Sequence, residues 1–236
     1  MRAGIENFIF DLDGTLVDSL PGIEDSVRFA VSSPIPPLRS LIGPPIRSIL
    51  RCLEPDLSEL DLDGLTKRFR KAYDSTGWRN TILQSGTTEV LAELHKRGRR
   101  VFLATNKPAR PTTKILAMLS IGQYFAGVST CDSRTPVFAS KTEMLRALLQ
   151  CHSLDPTRCL MVGDTVEDYV SAVETGMDAL IVSNGYGRPL EIPAECRLET
   201  LTDLLSLLDG PETRSKQMPG QVFEQAISQF ARGEIT

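Results

Sequence analysis

The sequence predicts an α/β protein, a doubly wound parallel sheet carrying a small all-helical second domain. Three observations predict it. Short apolar runs alternate with helix-periodic segments along most of the chain, the first run ends in Asp11-Leu12-Asp13-Gly14, and residues 21–85 break the alternation with no strand pattern. Strands alternating with helices of this length imply a parallel sheet covered on both faces. In open sheets of this kind, functional groups gather beyond the carboxyl ends of the strands.

The first strand is Phe8-Ile9-Phe10. It runs directly into Asp11 and Asp13, which share one side of the chain while the backbone stays extended. Gly14 permits a sharp turn, with its amide expected to face an anion. Two carboxylates held this close repel, and burying them unpaired is costly. A metal cation or a shared proton resolves that conflict.

Residues 21–85 read as helices separated by proline-rich loops. Ile35-Pro36-Pro37 and Ile42-Gly43-Pro44-Pro45 cannot be helix interior. Ile46, Ile49, Leu50 and Leu53, then Leu65, Phe69 and Tyr73, fall at amphipathic helical spacing. The first helix of this stretch is expected to end near Val31. The predicted organisation is an α/β core over residues 1–17 and 86–209, a helical domain over 18–85, and a C-terminal tail over 210–236.

Beyond the helical stretch, Thr87–Arg97 places Val90, Leu91 and Leu94 on one face and stops at Gly98. A strand over Val101–Ala104 ends in Thr105-Asn106, where a hydroxyl and backbone amides ahead of a helix can cradle phosphate. Ile115, Leu116 and Leu119 mark the next helix and Gly127–Thr130 the next strand. Ser140 is an N-cap for a helix carrying Met144, Leu145, Leu148 and Leu149. Lys141 sits in its first turn, where a cation opposes the helix dipole at a cost on the order of 0.3–1 kcal/mol, partly offset by Glu143. It is either a plain surface lysine or a cation aimed at an anion. The strand Leu160–Val162 again runs into acid, Gly163-Asp164, with Asp168 four residues on. Both acids share a face if a helix begins between them, although acids here can also be simple caps. A helix over Glu167–Thr175 stops at Gly176, and Ala179–Val182 is the last predicted strand. After Leu208 a linker leads to Val222–Ala231, which reads as a flexible tail or, alternatively, a docked helix or dimer contact.

The string Phe8–Ser19, followed by Thr105-Asn106, Lys141 and Gly163-Asp164 through Asp168, resembles the ordered motifs of the haloacid dehalogenase superfamily over about residues 5–208. The resemblance implies that Asp11 attacks phosphorus to form an aspartyl-phosphate and that Asp13 is the general acid and base. It implies phosphate contacts from Leu12, Thr105, Asn106 and Lys141. It also implies a Mg²⁺ site made by Asp11, Asp164 and the Asp13 carbonyl, with Asp168 orienting a bound water or Lys141. Residues 18–85 then correspond to a small helical cap that closes over the site, with Gly43 and Arg47 as substrate contacts and Arg79 closing the far side. Thr142, where most relatives carry proline, and the nearby Arg134 look like the 5′-nucleotidase-like branch beside the phosphoglycolate phosphatases. The expected function is a Mg²⁺-dependent phosphomonoester hydrolase resembling phosphoglycolate phosphatase and favouring a compact anionic substrate. A 5′-nucleotidase or pyrophosphatase is the alternative within the superfamily, and a non-catalytic binding module the alternative outside it.

Composition narrows the partners. With 236 residues, 41% hydrophobic, the chain can bury a real core. A net charge of −4 gives no reason to expect nucleic acid. Five cysteines without paired spacing argue against zinc and for free thiols in a reducing cytoplasm, the expected location. No basic-then-apolar leader and no apolar run of membrane-spanning length is present. The expected partner is a small phosphorylated metabolite, acted on by a monomer or homodimer. Two histidines in polar surroundings leave the chemistry to carboxylates.

Overall fold

The protein is described by a computed structural model covering residues 4–187 and 192–209. Strand β1 (Asn7–Phe10) leads through a tight turn to β2 (Val17–Asp18), which opens the helical region α1 (Leu20–Ala30), α2 (Ile46–Leu53) and α3 (Glu59–Ser75). Strand β3 (Ile82–Leu83) closes that region, and α4 (Thr87–Lys96), β4 (Arg100–Thr105), α5 (Ala109–Met118) and β5 (Phe125–Thr130) follow. The chain continues with α6 (Lys141–Cys151), β6 (Cys159–Gly163), α7 (Val166–Glu174), β7 (Asp178–Val182), β8 (Arg197–Leu198) and α8 (Asp203–Asp209).

Six strands form one parallel sheet in the order β5-β4-β1-β6-β7-β8. The chain order reverses around β1, so the crevice beyond its carboxyl end is the expected binding position. Register makes this concrete: Phe10 lies opposite both Leu103 of β4 and Val162 of β6. Asp11, Thr105 and Asp164 therefore leave the sheet at nearly the same level.

Side-chain alternation explains the two layers. Phe8, Phe10, Leu103 and Val162 pack with Val90, Leu94, Ile115 and Leu204 on one face. Ile9, Phe102 and Met161 pack with Leu145, Leu148, Tyr169 and Val170 on the other. The helical region has its own core, in which Val27, Leu38, Leu50, Leu62 and Phe69 are buried together. Helix α1 stops at Ala30, close to the expected end at Val31.

The cap stands on a two-residue antiparallel ladder pairing Val17 with Leu83 and Asp18 with Ile82. Sequence reading assigns no strand there, nor at β8, because two residues are too few to display a period. No helix among the described residues is long and apolar enough to cross a membrane. The tail over 210–236, with its two readings, lies outside the described residues.

Candidate active site

Three strand ends and two helix starts build the site. The turn after β1 is closed by Leu16 and Val17, whose amides both donate to the Leu12 carbonyl. The Gly14 amide, expected to face an anion, instead donates to the Val17 carbonyl at 2.8 Å. Gly14 is required for another reason. Its φ is +87°, and a Cβ there would overlap the Asp164 carboxylate.

Asp11, Asp164 and Asp168 are buried, and one carboxylate oxygen from each lies within 4.8 Å of the others. Asp164 accepts from the Thr15 hydroxyl at 3.1 Å and the Tyr186 amide at 2.7 Å. Asp168 is the third residue of α7 and forms a capping box with Thr165, whose hydroxyl donates to it at 2.7 Å. Capping and site-building are thus done by the two oxygens of one carboxylate, since the other pairs with Lys141. Lys141 opens α6, is buried, and donates to Asp11 at 2.8 Å. Its place in the first turn against the helix dipole is compensated by two carboxylates.

The electrostatics follow from burial. Burial, then the charges of Asp168 and Asp164, push Asp11 well above the usual carboxylate range, with Lys141 opposing. Burial and the neighbouring Asp168 push Asp164 up to about 7. For Lys141, burial works against the charged form, but Asp11 and Asp168 overcome it and hold the ammonium firmly protonated. A cluster whose acids resist ionisation together is short of positive charge. Hard oxygen donors in this number suit a divalent cation such as Mg²⁺.

Asp13 faces elsewhere. Its carboxylate accepts from the Ser19 hydroxyl at 2.5 Å and pairs with Lys107 at 2.9 Å, so it lies apart from the three-acid cluster. Sequence reasoning missed Lys107, which follows Thr105-Asn106 and whose amide donates to the Thr105 hydroxyl at 3.1 Å. The buried Lys107 ammonium also donates to the Tyr73 hydroxyl of α3 at 3.0 Å. One lysine therefore ties Asp13 to the cap. The available signal was a lysine two residues past a phosphate-cradle threonine. The tyrosine looked like ordinary helix-face packing.

Two further links were also missed. Tyr186 donates through its hydroxyl to Asp18 at 2.7 Å and accepts from the Ser19 amide at 2.7 Å, while its own amide holds Asp164. It joins Asp18 and Ser19, where the chain enters the helical region, to the acidic cluster. Asn106, expected at phosphate, donates through its side chain to the Gly43 carbonyl at 3.1 Å and to Glu167 at 2.9 Å. Burial raises the Glu167 carboxyl above its ordinary value.

A cavity of about 120 Å³ lies between cap and core, reaching Asp11, Asp13 and Thr105 on its floor and Gly43 and Arg47 on its walls. Arg47 is tied to Glu59 at 2.7 Å and Asp63 at 2.8 Å on the cap itself. Arg79 does not line this cavity; it is exposed and stacks over Trp78, 5.1 Å from the ring centre. The structure thus gathers Asp11, Asp13, Thr105, Asn106, Lys141, Asp164 and Asp168, and leaves Arg79 outside.

Residues 8–182 match the family described as haloacid dehalogenase-like hydrolase. The chain is 37% identical over 190 residues to tyrosine-protein kinase PtkA of Mycobacterium tuberculosis, covering 76% of this chain and 62% of the relative. The solved PtkA structure superposes with a TM-score of 0.74 at 31% identity, covering 88% of this chain and all of that one. A phosphoglycolate phosphatase of Vibrio vulnificus is 31% identical over 87% of this chain and 95% of its own length. A 5′-nucleotidase of Pseudomonas aeruginosa is 30% identical over 85% and 93%. The chain spans about three fifths of the length of the kinase-named relative.

Proposed function

The chain belongs to the haloacid dehalogenase-like hydrolase family, and from that premise we propose that it is a Mg²⁺-dependent phosphomonoester hydrolase of the phosphoglycolate phosphatase and 5′-nucleotidase branch. One observation carries the reading: Asp11 sits in a three-carboxylate cluster with its own lysine, while Asp13, two residues on, is held separately at the cavity floor. Relatives named phosphoglycolate phosphatase and 5′-nucleotidase, matched over nearly their whole length, support the same branch.

Asp11 attacks phosphorus, forming an Asp11–phosphorus bond as the ester P–O bond breaks. Asp13 gives its proton to the leaving oxygen, then takes one from the water that attacks the aspartyl-phosphate and releases phosphate. Asp11 is regenerated and Asp13 ends protonated again. Lys141 keeps Asp11 aimed and partly neutralised, and Ser19 with Lys107 keeps Asp13 at the floor of the cavity. Thr105 lies at the strand end beside Asp11 to receive a phosphoryl oxygen. Asp11 and Asp164, with Asp168 adjoining, would hold Mg²⁺, which supplies charge neutralisation for phosphoryl transfer when bound.

The test is phosphate release from phosphomonoesters with Mg²⁺ and after exhaustive chelation, together with an acid quench that traps radiolabelled phosphate on the protein. Release that persists without metal, or label trapped equally on Asp11→Asn, overturns the reading. The 37% identity to a relative named tyrosine-protein kinase favours a second reading, in which the phosphoryl group passes to a tyrosine hydroxyl instead of water. Label moving from ATP to a tyrosine acceptor, with no free phosphate from monoesters, would favour that one.

A further inference from the structure

The walls of the cavity above Asp11 and Asp13 are apolar where a small anionic substrate would need charge. Ile42 comes from the loop just before Gly43, Ile46 and Ile49 from α2, Phe69 and Tyr73 from α3, and Pro111 from the start of α5. Phe69 and Tyr73 stack on each other with ring centres 5.5 Å apart, presenting an aromatic wall one turn long. Two of the lining cations are already paired, Arg47 with Glu59 and Asp63 and Lys107 with Asp13, while Arg70, one turn before Asp74 on α3, is exposed.

Resting on the phosphomonoester reading above, we propose that the leaving group this cap selects is an apolar, ring-bearing alcohol or phenol, and that Ile42, Ile46 and Phe69 make its binding surface. The phosphoryl group occupies the floor beside Asp11, so the ester oxygen points toward Asp13 and the carbon skeleton rises between the isoleucines and the α3 rings. A carboxylate-bearing skeleton such as glycolate would trade its hydration for this wall and find no unpaired counter-charge from Arg47. The bonds exchanged are those already described: the ester P–O bond breaks, the Asp11–phosphorus bond forms, and the released alcohol carries the Asp13 proton.

The experiment compares benzyl phosphate, ethyl phosphate and 2-phosphoglycolate on the intact chain with Mg²⁺. Benzyl and ethyl alcohols differ little as leaving groups, so their ratio reports the cavity and not intrinsic reactivity. The expected result is a kcat/KM for benzyl phosphate about 10- to 100-fold above both others, the gain from burying a ring of this size. Ile46→Asn, a partly exposed wall position, is expected to lower the benzyl-to-ethyl ratio towards one. If Ile46→Asn fails to fold, the wild-type ratios decide alone. Ethyl phosphate or phosphoglycolate turned over as well as benzyl phosphate overturns this proposal and leaves the hydrolase reading standing. No phosphate from any of the three overturns the hydrolase reading itself.

Discussion

The floor and the roof of this site are built on opposite principles. On the floor, Asp11, Asp164, Asp168 and Lys141 are buried at the ends of central strands and the first turns of helices, each with charged or hydrogen-bonded partners. On the roof, the cap turns isoleucines and two aromatic rings toward the cavity and ties its Arg47 to its own acids. The floor is specified by charge and the roof by shape. Charged chemistry tolerates few residue types, whereas an apolar wall can be made in many ways, so the two halves respond very differently to substitution.

The largest expected effect breaks the floor. Asp11→Asn preserves shape and removes the attacking charge, so phosphate release should fall by about three orders of magnitude or more. Retention of more than about a tenth of the wild-type rate would mean that Asp11 is not the nucleophile.

Lys107 tests the seam between the halves, because it bonds Asp13 on one side and Tyr73 of the cap on the other. Lys107→Met should lower kcat on the order of 10- to 100-fold by loosening the acid/base, more for ethyl phosphate than for p-nitrophenyl phosphate. The latter has a leaving group that needs little protonation. An equal loss on both substrates would reduce Lys107 to a structural pillar.

How legible each half was in the sequence follows from the same contrast. Asp11, Asp13, Lys141, Asp164 and Asp168 stood out because a polar residue at the end of an apolar run is locally anomalous. The central strands were legible because their buried runs are short and uninterrupted. Lys107, Tyr186 and Glu167 were not, since each looks ordinary locally and matters only through a partner 22 or more residues away, such as Tyr73 for Lys107 or Asp164 for Tyr186. Arg47 was misleading for the converse reason. It looked free in the sequence, and its partners Glu59 and Asp63 come from the next helix.

The acidic floor also predicts an unusual stability profile without metal. Asp164 titrates near 7 in the folded chain and near 3.9 when unfolded, so the folded state holds more protons between these values. Stability contributed by this site therefore falls as pH rises from about 4 to about 7, the reverse of a salt-bridged carboxylate. Melting of the metal-free protein should show this decline over pH 5–7.5, by about 5 °C or more for a chain of this size. Saturating Mg²⁺ or Asp164→Asn should flatten it. A profile unchanged by either would mean that these carboxylates do not compete for one cation.

The smallest effect is expected on the roof, where sequence reading placed a substrate contact. Arg47 is partly exposed, with 39% of its side chain accessible, and its two carboxylate partners are more than half exposed. Pairs of this kind contribute about 0–1 kcal/mol, because water screens them and ordering long side chains offsets the attraction. Arg47→Ala should thus shift stability by no more than about 1 kcal/mol and kcat/KM for any of the three monoesters by less than about threefold. A tenfold loss confined to 2-phosphoglycolate would show that Arg47 leaves Glu59 and Asp63 to meet an anionic substrate. In that event the roof, like the floor, would select by charge, and the apolar wall would be only the inside of the cap's own core.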